Sequence, residues 1–234
     1  MANQEEVRDV YGYFEQNGNA LCYRYEAERV RIEPWGENSL RVRAWKTADM
    51  DPADWALLPP EKNTIPEITV RENGATIRNG KICAEINLIG KITFYNEKGD
   101  LLLEEYVRNR KDMFGNTCSS LEVEAREFKP ITGGDYRLSM RFVSTPGEKI
   151  YGMGQYQQPY LDIKGADLEL AHRNSQASVP FMLSSLGYGF LWNNPAVGRV
   201  NFGKNITTWE AYSTKKLDYW ITAGDTPAQI EESY

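Results

Sequence analysis

The chain has 234 residues, 41% of them hydrophobic, enough to bury the core of one large all-β domain or of two small ones. Its 33 acidic and 27 basic residues leave a net charge of −6, spread along the chain without long runs of one sign. That balance argues against a nucleic-acid backbone or an anionic membrane surface as partner and suits a neutral ligand.

The N-terminal MANQEEVRDVYGYF has no basic stretch followed by an apolar run, so no signal peptide is expected. No segment approaches the ~20 apolar residues of a membrane helix. The three cysteines, Cys22, Cys83 and Cys118, are odd in number and widely spaced, and His172 is the only histidine. Neither a disulfide framework nor a zinc pattern fits, and free thiols in a reducing compartment point to a cytoplasmic protein. Asn205-Ile206-Thr207 matches a glycosylation acceptor, which carries no weight without a secretion signal.

Apolar and polar residues alternate along much of the chain. In SLRVRAW, Leu40, Val42 and Ala44 share one side while Arg41 and Arg43 share the other. KICAEIN, SLEVEAREF and DYRLSMRFV repeat the pattern, the last with Tyr136, Leu138, Met140 and Phe142 against Arg137, Ser139 and Arg141. Strict period two means half-buried antiparallel strands, with the arginines and glutamates on a solvated face. Residues 47–66, with four prolines and scattered acids, read as a long surface loop inside one domain, with one helical turn near 53–58. Asn73-Gly74 and Asn79-Gly80 are hairpin dipeptides, and further turns fall at 96–100, 132–135 and 186–189.

The segment EKIYGMGQYQQPYLDIKG, 148–165, is the densest run of glycine and aromatic residues. It reads either as a tight corner with tyrosines packing the bend or as a sugar-binding loop of flat rings and amides. The last ten residues change period. Thr226 is a good N-cap, Pro227 suits the first helical position, and Gln229 completes a capping box. So short a helix is marginal alone and is expected to be the first helix of a further domain.

Four segments in order carry a family resemblance: RIEPWGENSLRVRAW at 31–45, IYGMGQ at 150–155, SVPFMLSSLGYGFLWNN at 178–194 and LDYWITAGDTPAQIEESY at 217–234. The chain resembles the N-terminal β-sandwich domain of glycoside hydrolase family 31, the α-glucosidase and α-xylosidase group. It departs from the family pattern at Gln155, where Glu is usual, and in LELAHRNSQAS, which lacks an Asn-x-Asp pattern. The resemblance implies an all-β antiparallel β-sandwich of the galactose-mutarotase-like kind over 1–224, and at 225–234 a short helix leading to a catalytic (β/α)₈ barrel. The implied parent is a retaining α-glycosidase with two carboxylates ~5 Å apart on that barrel. No catalytic residue is then expected in this chain, and no cofactor or metal, since carboxylates alone carry the hydrolysis. The implied partners are an α-linked oligosaccharide or glycoside, the barrel of the same polypeptide and, as family members often assemble, a homo-oligomer.

The same resemblance makes Gly152 and Gly154 a close backbone turn and places Tyr156, Gln157, Tyr160, His172, Arg173 and Asn174 near the rim of the barrel's pocket. Tyr160 could stack on a sugar face, and the amides of Gln157 and Asn174 or Arg173 could hydrogen-bond its hydroxyls, with His172 beside them. Packing against the barrel is the plainer reading of these residues, and the favoured one for Tyr151 and Tyr156. Asp162, Asp167 and Glu169 flank this region but form no defensible acid/base pair, and His172 has no nucleophile pattern beside it. Mutarotase chemistry, which uses a histidine and a glutamate, is poorly served by one histidine. Trp192, Trp209, Tyr212, Tyr219 and Trp220 read as core or interdomain packing. The alternative function is a free-standing carbohydrate-binding sandwich with no catalytic partner.

Overall fold

Period-two alternation becomes a set of antiparallel meanders. The computed structural model describes residues 12–47, 49–60, 64–108 and 123–234. Cys118, the 1–11 segment, residues 61–63 of the proline-rich loop and the start of SLEVEAREF lie outside these. Strands β1 (Tyr13–Asn17), β2 (Ala20–Tyr25), β3 (Glu28–Pro34) and β4 (Ser39–Trp45) form one meander, and β5 (Glu67–Arg71), β6 (Gly74–Asn79), β7 (Ile82–Asn87), β8 (Ile92–Asn96) and β9 (Leu101–Glu104) a second. There follow β10 (Arg126–Pro130), β11 (Tyr136–Val143), β12 (Ile150–Gln155), β13 (Asp167–Leu170) and β14 (Ala177–Ser184). The chain continues through β15 (Tyr188–Trp192), β16 (Gly198–Phe202), β17 (Ile206–Thr214), β18 (Lys216–Ala223) and helix α1 (Pro227–Ser233).

The strands assemble into an eight-stranded sheet, β1-β2-β3-β4-β18-β15-β14-β12, and two five-stranded sheets, β10-β11-β17-β16-β13 and β5-β6-β7-β8-β9. The two smaller sheets together face the large one. Phe94 of β8 meets Tyr219 of β18 edge-on at 6.3 Å, and Phe142 of β11 meets Phe190 of β15 and Tyr219 at 5.5 and 5.9 Å. Trp209 of β17 stacks on Trp192 of β15 at 5.7 Å. These rings are buried, so Trp192, Trp209 and Tyr219 are core residues, as expected; Tyr212 is instead exposed under the guanidinium of Arg137.

Glu105 joins the layers. Its N–H reaches the Ile92 carbonyl at 2.9 Å, and it bridges to Phe142 of β11. Its fully buried carboxylate accepts from the Ile92 amide at 2.9 Å and from Arg126, which also donates to Glu28 and to the Gly90 carbonyl. One arginine on β10 thus ties all three sheets at their junction. Burial pushes the Glu105 carboxyl up from its ordinary value, and Arg126 offsets part of that.

Three expectations change in the structure. Leu40, Val42 and Ala44 do face the core, but the opposite side of β4 is not solvated: Arg41 is completely buried. The reason is the 49–60 segment, which returns across the outer face as a strap. Arg41 donates to Asp218 of β18 at 2.9 and 2.6 Å, to Asp54 of the strap at 3.2 Å, and lies 4.4 Å over the Trp35 ring. Lys216 Nζ donates to the Asp51 and Ala53 carbonyls, and Trp35 Nε1 to that of Leu58 at 2.9 Å. Covered on both sides, β18 is buried along all eight residues. No helical turn forms at 53–58, because the strap's polar backbone is satisfied by the sheet beneath. The two hairpins marked by Asn-Gly exist, but register places their two-residue loops at Glu72-Asn73 and Gly80-Lys81.

Thr226 caps helix α1 as its sequence implies, its Oγ1 accepting from the Gln229 amide at 3.3 Å, but the Gln229 side chain reaches one residue past the capping-box position and accepts from Asp225 N at 3.0 Å. Two turns would not persist by themselves. Ile230, buried against Phe181, Leu191 and Trp220 on the outer face, holds the helix down and contributes about 2 kcal/mol of apolar burial. Tyr234 stacks on Phe181 with centroids 4.1 Å apart.

Candidate functional site

The glycine-rich segment lies inside β12, so Gly152 and Gly154 form part of a strand and not a turn. Gly152, Met153 and Gly154 have φ of 97°, 71° and 87°, a run of left-handed backbone that only glycine adopts freely. The partner strand explains it. Gly152 pairs with Met182 and Gly154 with Ser178, so β14 passes four residues while β12 passes two. Pro180 sits in that interval and has no N–H for the ladder, so the pairing bulges. A Cβ on Gly152 would stand 2.8 Å from the Phe181 carbonyl oxygen, and one on Gly154 2.8 Å from Val179 N and nearer still to the Ala177 carbonyl.

Beyond the bulge, the 156–166 loop is pinned at several points along its length. The Tyr156 hydroxyl lies 2.9 Å from the Glu169 carbonyl oxygen, to which it donates, and 2.8 Å from Ser178 Oγ. Asp162 accepts from the amides of Ile150 and Lys164, both at 3.1 Å. Ile163 N donates to the Ile150 carbonyl at 2.8 Å. Asp167 pairs with Arg199, whose hydrogen bond holds its carboxyl below the usual range, and Glu169 pairs with Arg173 at 2.8 Å. All three flanking carboxylates are thus engaged structurally, and none faces another as an acid/base pair.

His172, Arg173 and Asn174 come together in the exposed connection from β13 to β14, strands of different sheets, which closes into a small hairpin at Arg173 and Gln176. Arg173 and Gln176 exchange backbone hydrogen bonds at 3.1 and 3.2 Å, with Asn174 and Ser175 at the tip. His172 Nδ1 accepts from the Ser178 amide at 3.3 Å, which leaves the ring proton on Nε2 as an outward donor. Tyr160 is half exposed on the preceding loop, and among the described residues no hydrogen bond ties it to the hairpin. The turn therefore offers an imidazole N–H, a guanidinium and an amide together, a donor set suited to hydroxyl groups. Among the described residues no group of three His, Cys, Asp or Glu side chains is placed to hold a metal ion.

A second feature went unread in the sequence. Trp35, Leu57, Leu58, Pro59, Leu191, Trp220 and Tyr234 line a groove of about 720 Å³ on the outer face, between the strap and α1. The apolar ALLPP run and the paired Trp35 and Trp220 were its only signals, and neither shows a period that locates a face.

The family described as the glycosyl hydrolase 31 N-terminal galactose mutarotase-like domain matches residues 29–201. An uncharacterized family 31 glucosidase of Pseudescherichia vulneris is 51% identical over 227 residues, covering 94% of this chain and 43% of that protein. Alpha-xylosidase A of Aspergillus niger is 30% identical over 241 residues, 90% of this chain and 30% of that one. The crystal structure of a GH31 α-xylosidase from a soil metagenome, complexed with xylose, superposes with a TM-score of 0.90 at 53% identity, covering 95% of this chain and 34% of its own. The chain thus spans less than half the length of each of these relatives.

Proposed function

This chain belongs to the family of glycosyl hydrolase 31 N-terminal galactose mutarotase-like domains, and from that premise we propose that it is the sandwich module of a retaining α-glycosidase, seated against a catalytic barrel in the same polypeptide. In this reading the barrel supplies the nucleophilic carboxylate and the acid/base carboxylate. The sandwich supports the barrel and gives one wall of the sugar pocket, with Tyr160, His172, Arg173 and Asn174 at its rim. The relatives named α-xylosidase make α-xylosides the first substrates to try, ahead of α-glucosides. Cys22 and Cys83 are free thiols, which suits the cytoplasm as the working compartment.

The observation that carries the reading is the continuity of β14. Phe181, on its outer face, stacks under Tyr234 at the groove, and Val179 lies two residues along on the same face. Gln176 of the hairpin is five residues from Phe181, about 16 Å of extended strand. A domain seated in the groove therefore passes the hairpin, and an apolar seat and a polar donor set share one side of the sandwich.

The test is hydrolysis of aryl α-xylosides and α-glucosides by the full polypeptide and by this chain alone. The full polypeptide should release xylose with retained anomeric configuration, and the chain alone should be inactive. If the full polypeptide is inactive while the isolated chain binds oligosaccharide saturably, the domain is a binding module and the hydrolase reading falls.

A further inference from the structure

Tyr156 sits where the bulged end of β12 hands over to the rim loop, with its ring partly buried against the core. Its hydroxyl is hydrogen-bonded to both strands that flank the small hairpin carrying His172, Arg173 and Asn174, strands that belong to different sheets. On β13 it reaches the Glu169 carbonyl at 2.9 Å, and the Glu169 side chain is the partner of Arg173. On β14 it meets Ser178 Oγ at 2.8 Å, and the Ser178 amide donates to His172 Nδ1. One phenol thus fixes both residues that orient the hairpin's charged and heterocyclic side chains. A tyrosine needed only for packing would leave its hydroxyl to solvent or to a single partner.

From this we propose that Tyr156 is a positioning residue for the sugar-facing hairpin: its hydroxyl clamps β13 to β14 and so sets where Arg173 and His172 stand. The inference rests on the reading of residues 172–174 as part of the pocket wall. It assigns no contact between Tyr156 and sugar; the residue acts through Glu169 and Ser178.

Tyr156→Phe removes the clamp and keeps the ring. In the full polypeptide it should raise KM for an aryl α-xyloside roughly fivefold, the scale of one hydrogen bond, with kcat within about twofold. Ser178→Ala removes one of the two bonds, leaving that to the Glu169 carbonyl, and should raise KM in the same direction by a smaller factor, which covers the case of a Tyr156 variant that fails to fold. In an Arg173→Ala background, Tyr156→Phe should add little. A merely structural tyrosine would lower melting temperature and leave KM unchanged. Hydrogen exchange gives a sugar-independent reading: the Gln176 and Ser178 amides, which bond to Arg173 and His172, should exchange about tenfold faster in Tyr156→Phe. If Arg173→Ala raises KM and Tyr156→Phe does not, the clamp is overturned and the pocket wall stands. If Arg173→Ala and Asn174→Ala both leave KM unchanged, the pocket wall falls, and unchanged exchange would overturn the clamp as well.

Discussion

Gly154 and Gly99 have nearly the same φ, 87° and 86°, yet they stand in different surroundings. A Cβ at Gly99 meets nothing within 4 Å, so alanine there carries only the left-handed penalty, about 1 kcal/mol. At Gly154 the same atom collides with β14 backbone that cannot move without breaking the bulge. Gly154→Ala is expected to destabilise by about 3 kcal/mol and Gly99→Ala by about 1, read from denaturant midpoints. Equal effects would show that the close approach of β12 to β14 is not limiting. The need for glycine at 152 and 154 was legible, because glycine turns backbone into such regions without the cost a Cβ adds. That it serves a bulge opposite Pro180, and not a turn, was hidden: the two partners are some 25 residues apart and nothing local marks the register. The same limit hid Tyr156, which read as packing because its two polar contacts come from strands not yet placed.

The strap and the helix are elements whose stability is decided by what they lie on. Arg41→Ala would leave Asp218 buried without its partner and should cost about 4 kcal/mol. Asp54 is half exposed, so Asp54→Asn should cost under about 1 kcal/mol. The hydrogen bond from Arg41 holds the Asp54 carboxyl below its ordinary value, with burial opposing and Lys216 and Arg43 adding attraction. A carboxyl lowered in the folded state adds stability that is present above its unfolded value near 4 and lost as pH falls through the folded one. Burial pushes Asp218 the other way, so loosening of the strap in acid belongs to Asp54. Trp35 and Trp55 fluorescence should therefore report loosening of the strap below pH ~4 in the wild type, and Asp54→Asn should lack that acid step; identical pH curves would rule out this latch. At α1, Ile230→Ala should destabilise by about 2 kcal/mol or more and Thr226→Ala by about 1. The strands and the helix cap were legible from period and local chemistry. The buried outer face was not, since alternating Arg41 and Arg43 look the same under a strap as under water.

At the scale of the molecule, the sandwich presents one finished side and one that is not. Leu58 and Tyr234, which line the outer-face groove, remain exposed. Leu58→Asp should leave the isolated chain's stability within about 0.5 kcal/mol, since the side chain is 81% exposed, but should lower the melting temperature of the full polypeptide if a second domain seats there. An effect of equal size in both would place the seat elsewhere. The family was readable from four ordered segments, whereas the groove and the hairpin became one side of the molecule only once β14 was seen to run between them. The most direct measurement is a crystal structure of the full polypeptide with an α-xylosyl ligand. The catalytic domain should occupy the groove, and at least one of Tyr160, His172, Arg173 and Asn174 should contact the sugar. A ligand bound by barrel residues alone, with the 172–174 hairpin facing solvent, would contradict this arrangement.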